Sequence, residues 1–283
     1  MEPRWIRASL RIWVILVLLF LFLPIALIIL YAFNLSNVQS WPIEDYSTKW
    51  FSVAWHDEEV RNALVLSLKA GLAATAIALL LGSAVAFAVH RFRFFGREAI
   101  SLLLVLPIAL PGIVTGIALQ SFFLFNGFNL SLWTIVIGHA TFCIVIVYNN
   151  LLARLRRTPG SLIEASMDLG AHGFTTFRTV TFPMIRTALV AGGLLAFALS
   201  FDEVIVTVFT AGAQNTLPLW IFGAIRLGQQ LPEVNVVVFA VIVLTIVPIT
   251  IAARLTGGAG ITARSATADQ VSAASAAAAN GTA

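Results

Sequence analysis

The amino-acid sequence predicts an all-α polytopic membrane protein with six transmembrane helices, and three observations predict it. Of 283 residues, 59% are hydrophobic and only 11% charged, whereas soluble chains carry about 25% charged residues. Too few polar side chains remain to cover a water-soluble globule of this size. The apolar residues also gather into long, almost uncharged blocks, and the cations fall on alternate connections between them. The same figures exclude a largely disordered chain and, with Cys143 as the lone cysteine, a disulfide scaffold. A net charge of +4 without a clustered basic face gives no footing for nucleic acid.

A helix needs roughly 20 apolar residues to cross about 30 Å of hydrocarbon. Blocks of that length run Ile12–Ala32, Ala63–Val89, Ile100–Phe122, Leu132–Leu152, Ala188–Phe209 and Val234–Ala253. All are too long for buried strands and lack the period-2 alternation of a membrane β-strand. The first follows Arg4, Arg7 and Arg11 but exceeds the h-region of a secretion signal and precedes no clear cleavage site, so it reads as a retained anchor. Residues 33–61 form the longest outer connection, with Trp41, Tyr46, Trp50 and Trp55 beside several acids. A short helix lying at the headgroup level suits it, as does a docking surface for an outer partner. In the third block Pro107 and Pro111 each remove a backbone bond, so this span is expected to kink. Rows of small residues, Ala74, Ala78, Gly82 and Ala86 in the second block and Gly192, Ala196 and Ser200 in the fifth, favour close helix contact in lipid. Residues 254–283, rich in Gly, Ala, Ser and Thr, are expected to be a disordered cytoplasmic tail.

Orientation follows from the cations. Residues 1–11, the connections on the same side and the tail hold 13 of the 17, Arg91, Arg93, Arg97, Arg154, Arg156, Arg157, Arg178, Arg186, Arg254 and Arg264 among them. The other side keeps Lys49, Arg61 and Arg226, and Lys69 falls within the second block. Both termini are therefore expected in the cytoplasm, and membrane orientation accounts for the basic balance.

The informative connection is the long inner one, residues 153–187. Pro159-Gly160 ends what precedes it, and Ser161 with Glu164 three residues on has the spacing of a capping box. A two-turn helix Leu162–Leu169 is expected to stop at Gly170, with a second short helix over Phe174–Thr179 and Pro183 in the first turn of the fifth span. The picture is a helix–Gly–helix elbow on the cytoplasmic face, with Leu162, Ala165, Ser166 and Leu169 along one side.

Glu164-Ala165-Ser166, Gly170 six residues after the glutamate, and Phe182-Pro183 resemble the EAA loop of binding-protein-dependent ABC importer permeases of the MetI-like type. Val180 and Phe182 stand at that pattern's Ile and Leu positions, and Ser166 replaces its second alanine. The resemblance runs from about Asn62 to Ala253. Within it LPIALPGIVTGIAL, GHATFCIVIV, LAFALSFDEVIVTVFTAG and TLPLWIFGAIRLG are similar to spermidine/putrescine permease subunits. It implies an ABC type-1 transmembrane domain over 62–253, with five helices, whose loop couples to a separate cytoplasmic ATPase through Glu164, Ala165, Ser166, Gly170 and Pro183. It implies an inner-membrane importer subunit for polyamines or a related small solute. Its partners would be two copies of the ATPase, a homologous second permease subunit, a periplasmic solute-binding protein and membrane lipid.

The chain has no GxxxxGK[ST] run, so ATP is expected to be used by the partner and no cofactor to be bound here. Asp202 and Glu203 fall inside the fifth block, where a charge costs roughly 2.5–3.5 kcal/mol. With Ser200, Pro107 and Pro111 they are candidates to line the substrate path; a structural bond from the acids to a neighbouring helix terminus or to Lys69 is the other reading. His56, His90, His139 and His172 lie in separate segments without carboxylate or Cys at ligand spacing, so no metal site is expected. No nucleophile–base arrangement is evident, which argues against an enzyme. An ion-gradient-driven secondary transporter or channel is the alternative; it would have no need of the elbow and should show inverted repeats.

Overall fold

A computed structural model describes residues 4–246. The helices are α1 (Arg4–Tyr31), α2 (Lys49–His56), α3 (Glu58–Arg91), α4 (Arg97–Ala109), α5 (Gly112–Phe125), α6 (Leu132–Arg156), α7 (Gly160–Asp168), α8 (Gly173–Thr176), α9 (Phe182–Asp202), α10 (Ile205–Thr210) and α11 (Leu217–Leu227). A further apolar helix, α12, covers Leu231–Ile246. Four stretches are long and apolar enough to cross a membrane: Trp5–Tyr31, Glu58–Arg91, Leu132–Arg156 and Gly173–Asp202. The pair α4 and α5, bent by 103°, makes up to five. Six spans are compatible with this, because the sixth predicted block starts within α12 and its last residues, like the predicted tail at 254–283, lie outside the described residues.

The described chain divides into two compact units. In the first, residues up to Ala54 together with those from Gln230, α1 presents large apolar side chains over Leu10–Leu23, nearly all of them exposed. Beyond α1 the backbone folds back so that Leu35 N–H donates to Asp45 C=O at 3.1 Å. Asn34 holds that turn, its Oδ1 accepting from Ser36 N–H and its Nδ2 donating to Val38 C=O. Phe33, Phe51 and Phe239 form a triangle of rings with centroids 5.1, 5.7 and 5.8 Å apart, which packs α12 against the segment that follows α1. The short outer helix expected between the first two spans is α2.

The second unit, Trp55–Gln229, is built on α3, α6 and α9. Asp57 caps α3, its Oδ1 accepting from Glu59 N–H at 2.7 Å. The small-residue row of α3 is turned inward: Ala74, Ala78, Gly82 and Ala86 are buried, and a Cβ on Gly82 would lie 2.8 Å from the Ile144 carbonyl oxygen. Where lipid and leucine are equally apolar, such close backbone approach is what favours association. Three apolar clusters run along the α3–α6 seam, around Ala70 and Ile135, around Ala78 and Cys143, and around Ala86 and Tyr148. Tyr148 also meets Ser101 Oγ at 2.8 Å, tying α4 to α6.

Two local expectations are corrected. The fifth block is not one helix over Ala188–Phe209: the helix starts at Gly173, ends at Asp202 and resumes only at Ile205. The predicted capping box does not form, because Pro159 takes the N-cap position of α7 and Ser161 is already inside the helix. Pro159 supplies a fixed φ, which starts the helix two residues earlier than Ser161 would. Pro183 falls in the first turn of α9, as expected, but the helix does not begin afresh there. It follows a π turn at Phe177–Thr181, in which Phe182 N–H bonds back to Phe177 C=O. A proline lacks an N–H and crowds the carbonyl four residues earlier, here Thr179; widening the turn by one residue relieves both without breaking the helix.

Candidate functional site

The elbow is built by one C-cap of two hydrogen bonds. Ala171 N–H bonds to Ser166 C=O at 3.1 Å and Gly170 N–H to Met167 C=O at 2.8 Å, with Gly170 left-handed at φ 84°. This is the Schellman pattern, which closes the orphan carbonyls of α7 and turns the chain sharply into α8. Across the turn Ser166 Oγ meets Thr176 Oγ1 at 3.1 Å, and Thr176 is only 3% exposed. The serine at the alanine position thus points inward and fixes the angle between the two short helices. Glu164 and Ala165 are exposed, and Leu169 at 89% and Phe174 at 76% project from the tip. Beneath the elbow lies a cavity of about 550 Å3, lined by Glu164, Met167, Thr176, Phe177 and the α3 end residues His90 and Arg91.

At the other end of α9, about 28 Å from Pro183 by helical rise, stand the remaining predicted residues. Asp202 is the last residue of α9 and is exposed. Glu203 has extended backbone, ψ 116°, and its carboxylate Oε1 accepts from Val206 N–H at 2.9 Å. It therefore caps α10 across the break. Ser200, 3% exposed, meets His139 Nδ1 at 2.8 Å, and His139 Nε2 meets Thr207 Oγ1 at 2.9 Å. Thr207 spends its one hydroxyl proton on Glu203 C=O at 2.6 Å. Nε2 is then the donor to Thr207, and the ring bridges Ser200 of α9 to Thr207 of α10. Thr134 Oγ1 adds a bond to Thr210 C=O at 2.7 Å, holding the far end of α10.

The proline break adjoins this one. Pro107 lies within α4, and Pro111 is the N-cap residue of α5 at the 103° bend. The start of α5 packs on α10: a Cβ on Gly112 would come 3.5 Å from Ile205, and one on Gly116 only 2.5 Å from Phe209. Two interrupted helices thus meet at their breaks, bringing Pro111, Asp202 and Glu203 into one region. Sequence reasoning singled out those residues and read the lone His139 as a packed, hydrogen-bonding residue, but could not name its partners Ser200 and Thr207. Among the described residues no group of His, Cys, Asp or Glu could hold a metal ion.

The description "binding-protein-dependent transport system inner membrane component" matches residues 78–257. The chain belongs to that family. Within it, this permease is 34% identical over 230 residues to the Escherichia coli K12 spermidine/putrescine transport system permease protein PotC, covering 81% of this chain and 86% of the relative. It is 34% identical over 236 residues to the putrescine permease protein PotI of the same organism, covering 79% and 83%. The Haemophilus influenzae PotC is 30% identical over 239 residues, covering 84% and 92%. In fold the permease matches a chain from the crystal structure of a bacterial ABC transporter importing the acidic polysaccharide alginate, with TM-score 0.65 over 90% of this chain and 98% of that one at 16% identity. The family is that of membrane subunits of ABC importers and not of enzymes.

Proposed function

We propose that this permease subunit carries polyamines, spermidine or putrescine, or a closely related cationic solute, across the bacterial inner membrane as half of an ATP-driven importer. The observation that supports this most is the meeting of two broken helices at Pro111 and Glu203 with Asp202 exposed beside them. Irregular backbone at membrane depth is tolerated where it lines a cavity, and a carboxylate there suits a cationic cargo. The relatives named for spermidine and putrescine support the same substrate class. Both termini face the cytoplasm in this reading, which the arginine distribution supports. Glu164, Ala165, Ser166, Gly170 and Pro183 form the elbow that a cytoplasmic ATPase grips, Leu169 and Phe174 filling its cleft. ATP is bound by the ATPase, two copies of which act on two elbows, the second belonging to a homologous permease subunit. Their closure draws the elbows together and opens the membrane bundle outward to receive cargo from a periplasmic binding protein, and their release resets it.

Uptake of labelled spermidine by Asp202→Asn and Glu203→Gln tests the path. Glutamine keeps a carbonyl oxygen to cap α10 while removing the charge, so assembly should persist. At least one variant should lose uptake by about tenfold or more, the factor that 1.4 kcal/mol of cargo interaction represents. Normal uptake in both variants overturns the reading.

A further inference from the structure

A groove of about 710 Å3 runs between α3 and α9, away from the helix breaks and adjoining the elbow cavity only at Phe182, whose ring meets Phe177 of that cavity. Its walls are Leu72, Leu79 and Leu80 on one side and Leu189, Val190 and Leu194 on the other. Arg186 and Ser83 stand at one end and Phe197 at the other; no carboxylate lines the groove to neutralise the guanidinium. We propose that this groove binds an anionic phospholipid of the cytoplasmic leaflet, with one acyl chain between the helices and the phosphate at Arg186.

Three features select lipid over a partner helix. The groove extends over Leu72–Ser83, a rise of about 17 Å, close to half of the roughly 30 Å hydrocarbon core. It therefore matches one leaflet and not a spanning segment. Its exposed rim is made of large side chains, Leu72, Leu80, Val190 and Leu194, whereas helix partners in a bilayer rely on small ones. The small row of α3 is already used against α6 within this chain. Finally, the exposed Arg186 ends the groove at the side where the other arginines gather, the level at which anionic headgroups are found. A guanidinium presents its donors in a fork that fits phosphate oxygens, and Ser83 adds a hydroxyl.

The test uses the complete complex in nanodiscs holding equal amounts of phosphatidylglycerol and phosphatidylcholine, with Leu194 replaced by photoreactive benzoylphenylalanine. Lipid adducts should form, with phosphatidylglycerol captured about fivefold over phosphatidylcholine, the preference expected of one surface cation at anionic headgroups. Arg186→Gln should abolish that preference and Arg186→Lys should retain most of it. Adducts to polypeptide in place of lipid, equal capture of the two lipids, or a preference that survives Arg186→Gln would each overturn the site. If Arg186→Gln does not assemble, the wild-type ratio and adduct identity decide alone. The proposal rests on the embedding of α3 and α9 in a bilayer and needs no cargo, so its failure is separable from a failure of the uptake test.

Discussion

His139 touches two helices at once, and its value lies in having both ring nitrogens matched, Nδ1 to Ser200 and Nε2 to Thr207. Replacing the ring by leucine strands the Thr207 acceptor and frees the Ser200 hydroxyl inside a dry interface. An orphaned polar group of this kind costs about 1–3 kcal/mol. His139→Leu should therefore lower the melting temperature of the detergent-solubilised protein. Adding Ser200→Ala removes one of the stranded groups, so the double variant should melt above the sum of its single effects. Strict additivity in that cycle would show that the two side chains are not coupled.

Individual elements differ in how much change they accept. On α3, Gly82 sits where any side chain meets the Ile144 carbonyl oxygen, while Gly223 on α11 has nothing within 4 Å of its would-be Cβ. Gly82→Ala should destabilise by about 1–3 kcal/mol through forced separation of α3 and α6. Gly223→Ala should be neutral or slightly stabilising, since alanine is the better helix former. Thermal unfolding of the two variants side by side checks the contrast. The helices whose hydrophobic period is long and regular, such as α3 and α6, were legible in the chain. So was the proline bend, because two prolines four residues apart have a local mechanical effect. The break after Asp202 was not legible: FALSFDEVIVTVF reads as one apolar run, and what interrupts it is a set of tertiary bonds from α6. The π turn escaped for a related reason, since Pro183 signals a disturbance without saying whether the helix starts, ends or widens there.

For the whole molecule, the elbow and the helix breaks are separate sites joined by one rigid rod, α9. A change at the elbow should leave the α3–α6–α9 core intact and sever its connection to the ATPase. Gly170→Asp places a side chain on a residue held at φ 84°, a strain of about 1–2 kcal/mol, and sets a charge at the docking tip. Co-purification with the ATPase and transport should both fall severely while the core melts near the wild-type temperature. Full transport by this variant would remove the elbow from the mechanism. Gly170 of this loop was readable because a left-handed turn demands glycine, and Pro183 because the first turn of a helix accepts proline, whereas the cap expected of Glu164 did not form. Ser166 was not readable: only the folded chain reveals that its hydroxyl reaches Thr176.

The chain of hydrogen bonds through His139 bears on biogenesis. α6 enters the bilayer before α9 and α10 exist, so until they arrive its imidazole has neither Ser200 nor Thr207 to meet. A nascent chain halted after α6 would hold a polar ring in hydrocarbon, and one halted at Asp202 would satisfy only half of it. Synthesis of the last third of the chain thus completes the seating of its middle, and quality control has a buried polar group by which to recognise a permease that stopped short.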